Sequence, residues 1–143
     1  MPKPMTEIEA AHILVVDDDP ILAGFLQLTL ELEGYRVAVA NDGAVGLDKV
    51  ARARFDLVLL DLVMPKIDGV KFLRLLNEGQ SSRPPIMIVS SAIEEKLTDQ
   101  HRALGVVDIA RKPVETKELV ARVKRALASS IGSRGQSALA GRG

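Results

Sequence analysis

The chain has 143 residues, of which 47% are apolar and 27% charged, and this length and composition suit a single globular domain. Basic and acidic residues number 19 each, so no net charge draws the protein to nucleic acid or an anionic membrane, and the absence of Cys excludes disulfides, thiol catalysis and thiolate metal sites. Because the sequence lacks a signal-peptide pattern and an apolar run of about 20 residues, we expect a cytoplasmic protein that contacts neither membrane nor nucleic acid directly.

The first apolar run predicts a buried strand that leads into a helix. Ile13 to Asp17 is short and contains two Val, as in a strand covered on both faces. Asp19 followed by Pro20 predicts the start of a helix, and Gly34 predicts its end. Residues at helical spacing between them form a stripe that we expect to face the core: Ile21, Phe25, Leu28 and Leu32.

Four more strands and helices follow in alternation. The predicted strands are Tyr35 to Ala40, Phe55 to Asp61, Ile86 to Ser90 and Val106 to Ala110. The apolar positions of the predicted helices are Ala44, Leu47 and Ala51, then Val70, Phe72, Leu73 and Leu76, then Ile93, Leu97 and Leu104, then Leu119, Val120, Val123 and Leu127. Five strands, each followed by a helix, predict right-handed βαβ units and therefore an α/β domain with a doubly wound parallel sheet, (βα)5.

Reactive side chains stand where four of these strands end. Asp17 and Asp18 follow the first strand, Asp61 ends the third, Ser90 the fourth, and Lys112 closes the fifth. Because parallel strands end at one edge of a sheet, we expect these groups to converge. Clustered carboxylates repel one another, and a cation that prefers oxygen ligands, such as Mg²⁺, removes the conflict. Together with a lysine and a hydroxyl, the cluster indicates phosphoryl transfer, for which a carboxylate can be the nucleophile.

Each of these residues also has a purely structural interpretation. The acidic run before Pro20 could cap a helix, and we expect Asp19 to do so. Asp61 could form a turn, Ser90 could cap the next helix, and Lys112 could be a solvated loop residue. The functional interpretation therefore depends on their joint occurrence at successive strand ends.

The sequence resembles the receiver domain of two-component response regulators over residues 11–128. The resemblance is carried by Ile13 to Pro20, by Asp61 to Pro65 with Asp68-Gly69, by Pro85 to Ala92, and by Lys112-Pro113. It implies a flavodoxin-like sheet of strand order 2-1-3-4-5. It also implies that the phosphoryl donor is a histidine kinase or a histidine phosphotransfer protein. Such a domain is not an enzyme for a separate substrate, since it catalyses only its own phosphorylation and slow autodephosphorylation.

The resemblance assigns a role to each residue of the site. Asp61 becomes the phosphoacceptor, Lys112 its counter-charge and Ser90 the switch hydroxyl. Asp18, Asp61 and the backbone carbonyl of Val63 become the ligands of Mg²⁺. The remaining acidic residue, Asp17, acts on the metal through water.

Ile109 occupies the position where this family commonly has Tyr or Phe, three residues before Lys112. An aliphatic side chain therefore takes the place of the ring that moves when the Ser90 hydroxyl engages the phosphoryl group. We expect the fourth helix, the fifth strand and the last helix to form the surface that meets a downstream protein, or a homodimer linked to phosphorylation. The helix residues expected around Ile109 are Ile93, Leu97 and Leu104.

The two ends of the chain are expected to lie outside the folded domain. Residues 1–10 form a flexible segment, and residues 129–143, rich in Gly, Ser and Ala, form a disordered tail or the stub of a linker. About 16 residues follow Leu127, too few for a DNA-binding domain. We therefore expect a stand-alone receiver or the N-terminal receiver of a longer protein.

Two other functions remain open at this point. The pattern Asp17-x-Asp19-x-Ile21 loosely matches haloacid-dehalogenase-type phosphatases, in which Asp17 would be the nucleophile and Asp19 the general acid. The sequence lacks the acidic pair that this family places after the lysine, and it lacks room for a substrate-selecting cap. The second alternative is a pseudo-receiver that binds partners without accepting phosphate. Failure to bind beryllofluoride with Mg²⁺ would favour it.

Val63 and Ala92 predict slow loss of the phosphoryl group. The resemblance places these small apolar side chains beside the phosphoryl group, where neither can position an attacking water by hydrogen bonding. Replacing Val63 or Ala92 with a polar residue is expected to speed the decay of the aspartyl phosphate. The decay rate of the labelled protein measures this, and an unchanged rate would count against it.

Overall fold

The computed structural model describes residues 10–62, 69–79, 84–91 and 97–128. The expected flexible segment lies outside these ranges except for Ala10, and so does the whole of the expected tail, residues 129–143. Val63, Ala92 and Ile93 also lie outside them. The predicted domain boundaries, and the predicted roles of these three residues, therefore stay predictions.

Five parallel strands form one sheet, as the sequence predicts. The strands are β1 His12–Val16, β2 Arg36–Ala40, β3 Leu57–Leu60, β4 Ile86–Ser90 and β5 Val106–Arg111. Their order is β2-β1-β3-β4-β5, which confirms the order that the resemblance implies. One irregularity interrupts the pairing of β4 with β5: Ile86 pairs with Val106, but Met87 pairs with Asp108. Val107 is therefore an extra residue in β5, a β-bulge.

Helices connect the strands and follow the last one. They are α1 Pro20–Leu32, α2 Gly43–Arg52, α3 Gly69–Gly79, α4 Asp99–Ala103 and α5, residues 116–128. Asp19 caps α1, as predicted, by accepting hydrogen bonds from the N–H groups of Ile21 and Leu22. Gly34, with φ +97°, follows the end of α1 in the left-handed region that favours glycine. Among the described residues, no helix has the length and apolar character that a membrane span needs.

Two apolar layers enclose the sheet. On one face, α1 and α5 pack their Leu26, Leu30, Leu119 and Val123 side chains against β1, β3 and β4. On the other face, α2 and α3 pack against the alternate side chains of the same strands, with Phe72 fully buried. The three inner strands are therefore covered on both faces, which explains their continuous apolar sequences. Because the strands are parallel, their carboxyl ends lie at one edge of the sheet, and the packing on both faces holds them there.

The predicted core face of α1 is wrong. The residues of α1 that are buried are Ala23, Leu26, Thr29 and Leu30. The predicted stripe lies on the outer side of the helix, with Ile21 83%, Phe25 50%, Leu28 57% and Leu32 77% exposed. Because α1 is apolar on two faces, spacing alone did not show which face the sheet would cover, and the sheet covers only one.

The predicted faces of α2 and α3 are partly wrong as well. In α2 the buried residues are Gly43, Gly46 and Val50, and Leu47 is partly buried, whereas Ala44 and Ala51 are exposed. Val70, at the start of α3, is also exposed. The residues that confirm the prediction are Phe72, Leu73 and Leu76 in α3 and Leu119, Val123 and Leu127 in α5.

Gly46 allows α2 to approach the sheet closely. A Cβ atom at this position would lie 3.0 Å from Cε1 of Phe72 and 3.1 Å from Cγ2 of Val16, and both side chains are fully buried. Gly24 in α1 differs, because a Cβ atom there would have no neighbour within 4 Å.

We therefore expect alanine to have opposite effects at these two glycines. Gly46→Ala should lower the free energy of unfolding by about 1 kcal/mol or more, since overpacking outweighs the gain in helix propensity. Gly24→Ala should raise it by up to about 1 kcal/mol, since only the propensity changes. Urea unfolding monitored by circular dichroism measures both changes. A stabilising Gly46→Ala would show that Phe72 and Val16 can move to make room for the methyl group.

Candidate functional site

The sheet holds three reactive residues by their backbones. The N–H group of Asp17 donates to the carbonyl of Ala40, and that of Asp61 donates to the carbonyl of Val16, both at 3.0 Å. The N–H group of Lys112 donates to the carbonyl of Ser90 at 3.1 Å. These residues come directly after β1, β3 and β5, so the hydrogen-bonding pattern of the sheet continues one residue beyond each strand. The convergence predicted from the sequence is confirmed for these three side chains.

Lys112 joins the two buried carboxylates. Its Nζ atom lies 2.9 Å from Oδ2 of Asp17 and 3.3 Å from Oδ2 of Asp61, and these residues are 2% and 8% exposed. Burial alone would lower the pKa of Lys112, but the hydrogen bond to Asp17 and the charges of Asp17 and Asp61 outweigh it. The pKa of Lys112 is therefore above its ordinary value, and the ammonium group stays charged at neutral pH.

Asp17 is further fixed by its neighbours. Its Oδ1 atom accepts a hydrogen bond from the N–H group of Asp19 at 2.9 Å, so both of its carboxylate oxygens have a partner. Its backbone carbonyl accepts a hydrogen bond from the amide of Asn41 at 3.3 Å. No role was predicted for Asn41, although its position directly after β2, at the same edge of the sheet, could have indicated one.

The acidic residues form a group that fits a divalent cation. Asp17, Asp18 and Asp61 each offer a carboxylate oxygen, and these oxygens lie within 4.8 Å of one another. Asp18 is exposed, whereas the other two are buried. A donor set made only of oxygen atoms suits Mg²⁺, and the exposed side leaves room for the waters that Mg²⁺ retains. The remaining predicted ligand, the carbonyl of Val63, lies outside the described residues.

Ser90 and Ile109 lie on neighbouring strands beneath this edge. Ser90 is fully buried at the end of β4, where it pairs with Arg111 of β5. Ile109 pairs with Ile88 and is buried in the layer that α2 and α3 cover. Leu97 and Leu104, which flank α4, are partly buried against that layer. Ile109 is therefore a core residue. The predicted partner-facing surface can be formed only by exposed residues near it.

On the outer side, β5 is tied to α5 by Arg122. Its Nη1 atom lies 3.1 Å from Oδ1 of Asp108 and donates to the carbonyl of Ile109 at 2.9 Å. The side chains of Arg122 and Asp108 line a cleft together with Val107, Arg125 and Ala126. This contact connects the backbone of Ile109 directly to the last helix.

The chain matches one protein family over nearly all of its described length. The profile of the family described as "Response regulator receiver domain" matches residues 13–124. The transcriptional regulatory protein YkoG of Bacillus subtilis is 40% identical over 121 residues, which are 84% of this chain and 52% of YkoG. The DNA-binding response regulator MtrA of Mycolicibacterium smegmatis is 41% identical over 116 residues, 81% of this chain and 50% of MtrA.

A solved structure confirms the fold. The receiver domain of the Francisella response regulator 1452 is 28% identical, with a TM-score of 0.75, and the match covers 84% of this chain and 98% of that domain. The chain spans about half the length of the curated relatives that it matches. MtrA is named as DNA-binding, so the expectation that this protein does not contact nucleic acid directly is not supported by these comparisons.

The Lys112 contact predicts the effect of removing its charge. Lys112→Met leaves the carboxylates of Asp17 and Asp61 buried without their cation, so the free energy of unfolding in metal-free buffer should fall by about 1–3 kcal/mol. Adding Mg²⁺ should recover part of this loss. Urea unfolding with and without MgCl₂ measures both effects.

Lys124→Met is the matched control for this substitution. Lys124 pairs with Glu33 at 3.2 Å, but both side chains are exposed, so the change should cost well under about 1 kcal/mol. Equal losses for the two variants would show that burial does not strengthen the Lys112 contact.

Proposed function

This chain belongs to the family of response regulator receiver domains, and we propose that Asp61 is its phosphoacceptor in two-component signalling. The observation that carries the proposal is the contact of Lys112 with the buried carboxylates of Asp17 and Asp61. The contact joins the proposed nucleophile Asp61, the cationic side chain of Lys112 and a second carboxylate at three strand ends that the sheet holds. This is an arrangement for positioning and neutralising a phosphoryl group, and such work accounts for most of the catalysis of phosphoryl transfer.

The transfer forms one bond and breaks one. A carboxylate oxygen of Asp61 attacks the phosphorus atom of a phosphohistidine, and the electron pair of the broken P–N bond returns to the imidazole ring. The donor is a histidine kinase or a histidine phosphotransfer protein. Lys112 already contacts Asp61, so its charge lies beside the oxygens that the phosphoryl group brings. Loss of the group is slow autodephosphorylation, and the chain acts on no separate substrate.

A magnesium ion completes the site in this proposal. Asp18, Asp61 and the carbonyl of Val63 would hold it, and Asp17 would act through water, which is consistent with the partners that both Asp17 oxygens already have. When bound, the ion neutralises the carboxylates and the phosphoryl oxygens. We propose a cytoplasmic setting, which is typical of response regulators.

The phosphoryl group is read out through β4 and β5. We propose that Ser90 turns its hydroxyl toward the phosphoryl group and that Ile109, on the adjacent strand, repacks in response. Arg122 bonds to the carbonyl of Ile109, so a shift of β5 reaches α5. The receiving surface is then formed by α4, β5 and α5, and it meets a downstream protein or a second phosphorylated copy.

The geometry favours Asp61 over Asp17 as the nucleophile. Asp19, which a phosphatase of the haloacid-dehalogenase type would need as a general acid, instead caps α1 through two backbone N–H groups. Both oxygens of Asp17 have partners within the site. In the proposed receiver function, Asp19 remains the cap of α1 and Asp17 remains bonded to Lys112.

Phosphorylation with a small phosphodonor tests the assignment. With acetyl phosphate and MgCl₂, the native chain should gain one phosphoryl group, and borohydride trapping followed by peptide mass spectrometry should locate it on Asp61. Asp61→Asn should abolish labelling, because the amide is not a nucleophile. Asp48→Asn is the control, since Asp48 is an exposed carboxylate paired with Arg52 in α2, and it should label normally.

Two results would overturn the proposal. Label on Asp17 would support the phosphatase, and neither labelling nor beryllofluoride binding in the presence of Mg²⁺ would support a pseudo-receiver. Omission of MgCl₂ should slow labelling of the native chain by at least about tenfold, if the acidic group binds the ion as proposed.

A further inference from the structure

The outer face of α1 is an apolar surface that nothing in the described part of the chain covers. Its four large side chains are Ile21, Phe25, Leu28 and Leu32, and each is at least half exposed. The opposite face of the same helix already packs on the sheet through Leu26 and Leu30. A helix that is apolar on both sides is normally covered on both sides. We call these four residues the α1 stripe.

The spacing of the α1 stripe is that of a helix–helix seam. Successive members are four, three and four residues apart, which is the alternation of a and d positions in a coiled coil. This order reads the same in both directions about the midpoint of the stripe, between Leu26 and Gln27. A two-fold axis through that point therefore maps the α1 stripe onto itself, which suits an isologous interface between identical copies.

We propose that two copies of this chain pair through the α1 stripe, with their α1 helices antiparallel. Ile21 of each copy then packs against Leu32 of the other, and Phe25 packs against Leu28. The pairing needs no change in the sheet, because the side chains already point away from it. It goes beyond the proposed phosphorylation and does not depend on it.

The area of the α1 stripe is sufficient for a weak dimer. Four large apolar side chains at these exposures present roughly 500 Å² per copy, which matches the largest functional patches on single proteins. Two such faces bury about 1,000 Å², the lower limit for a specific interface. We therefore expect reversible association that depends on protein concentration.

The charges around the α1 stripe predict how salt affects the pairing. Between residues 17 and 35 every charged residue is acidic. Glu33 is neutralised by Lys124, at 3.2 Å, but Asp18, Asp19 and Glu31 approach the second copy with like charge. Because salt screens this repulsion while the apolar contact persists, the dimer should become tighter as the NaCl concentration rises.

Sedimentation of the full chain tests the proposal. Over about 1 to 500 µM protein, the native chain should pass from monomer to dimer. Phe25→Glu and Leu28→Glu should each raise the dissociation constant by at least about tenfold, since each places a charge in the seam. Val45→Glu is the matched control: Val45 is 41% exposed, but it lies on α2, on the other face of the sheet, and its change should leave the dissociation constant unaltered.

Cysteine cross-linking tests the relative orientation of the two α1 helices. Because the chain has no native Cys, an introduced thiol can form a disulfide only with another introduced thiol. A mixture of Ile21→Cys and Leu32→Cys chains should form a mixed disulfide under mild oxidation, because antiparallel pairing brings these positions together. Ile21→Cys chains alone should stay uncrosslinked. The reverse pattern would overturn the antiparallel arrangement.

Two further outcomes would overturn the proposal as a whole. One is a native chain that stays monomeric over the entire concentration range, with and without added NaCl. The other is a pair of stripe variants that sediment like the native chain but take phosphate more slowly from a histidine phosphotransfer protein. In that case the α1 stripe would be the surface that binds the phosphoryl donor. Phosphorylation by acetyl phosphate, which is a small molecule, would remain normal in both variants.

Discussion

The contact of Lys112 with Asp17 and Asp61 is the interaction on which the site depends. Two carboxylates this deeply buried repel each other, and the ammonium group, at 2.9 Å from one and 3.3 Å from the other, offsets that repulsion. The contact is possible only because β1, β3 and β5 end at the same edge of one parallel sheet. Strands that are far apart in sequence thus supply one electrostatic unit, and the double cover of the sheet keeps its parts from separating.

Much of this unit could be predicted from the sequence, for a topological reason. In a parallel sheet the residue after each strand has few places to go, so Asp17, Asp61 and Lys112 were bound to converge once the strands were recognised. Asn41 obeys the same rule but was not assigned, because it contributes an amide to a backbone carbonyl rather than a charge. The pattern of charges indicated which strand ends carry reactive side chains, but not that the amide of Asn41 would support the backbone of Asp17.

The helix faces were harder to predict than the strand ends. Spacing gives the period of a helix but not its phase, and α1 has apolar residues on two sides, so the sheet could have covered either. It covers the side of Ala23, Leu26 and Leu30 and leaves the larger residues outside. In α2 the phase is set by Gly46, whose missing side chain admits Val16 and Phe72. Both outcomes depend on the shape of the neighbouring surface, which a single helix sequence does not contain.

The bulge at Val107 changes which side chains of β5 face the same side of the sheet. Val106 pairs with Ile86 and Ile109 pairs with Ile88, so two side chains three residues apart face the same layer, which a regular strand permits only for residues two or four apart. A loop can gain or lose a residue at little cost in stability, because its side chains do not alternate between two faces of a sheet. In β5 the side chains do alternate: if this strand paired with β4 regularly along its whole length, Val106 and Ile109 would face opposite sides of the sheet, and only one of them could lie in the layer that α2 and α3 cover. The extra residue at Val107 thus allows both side chains to be buried while β5 still leads to Lys112.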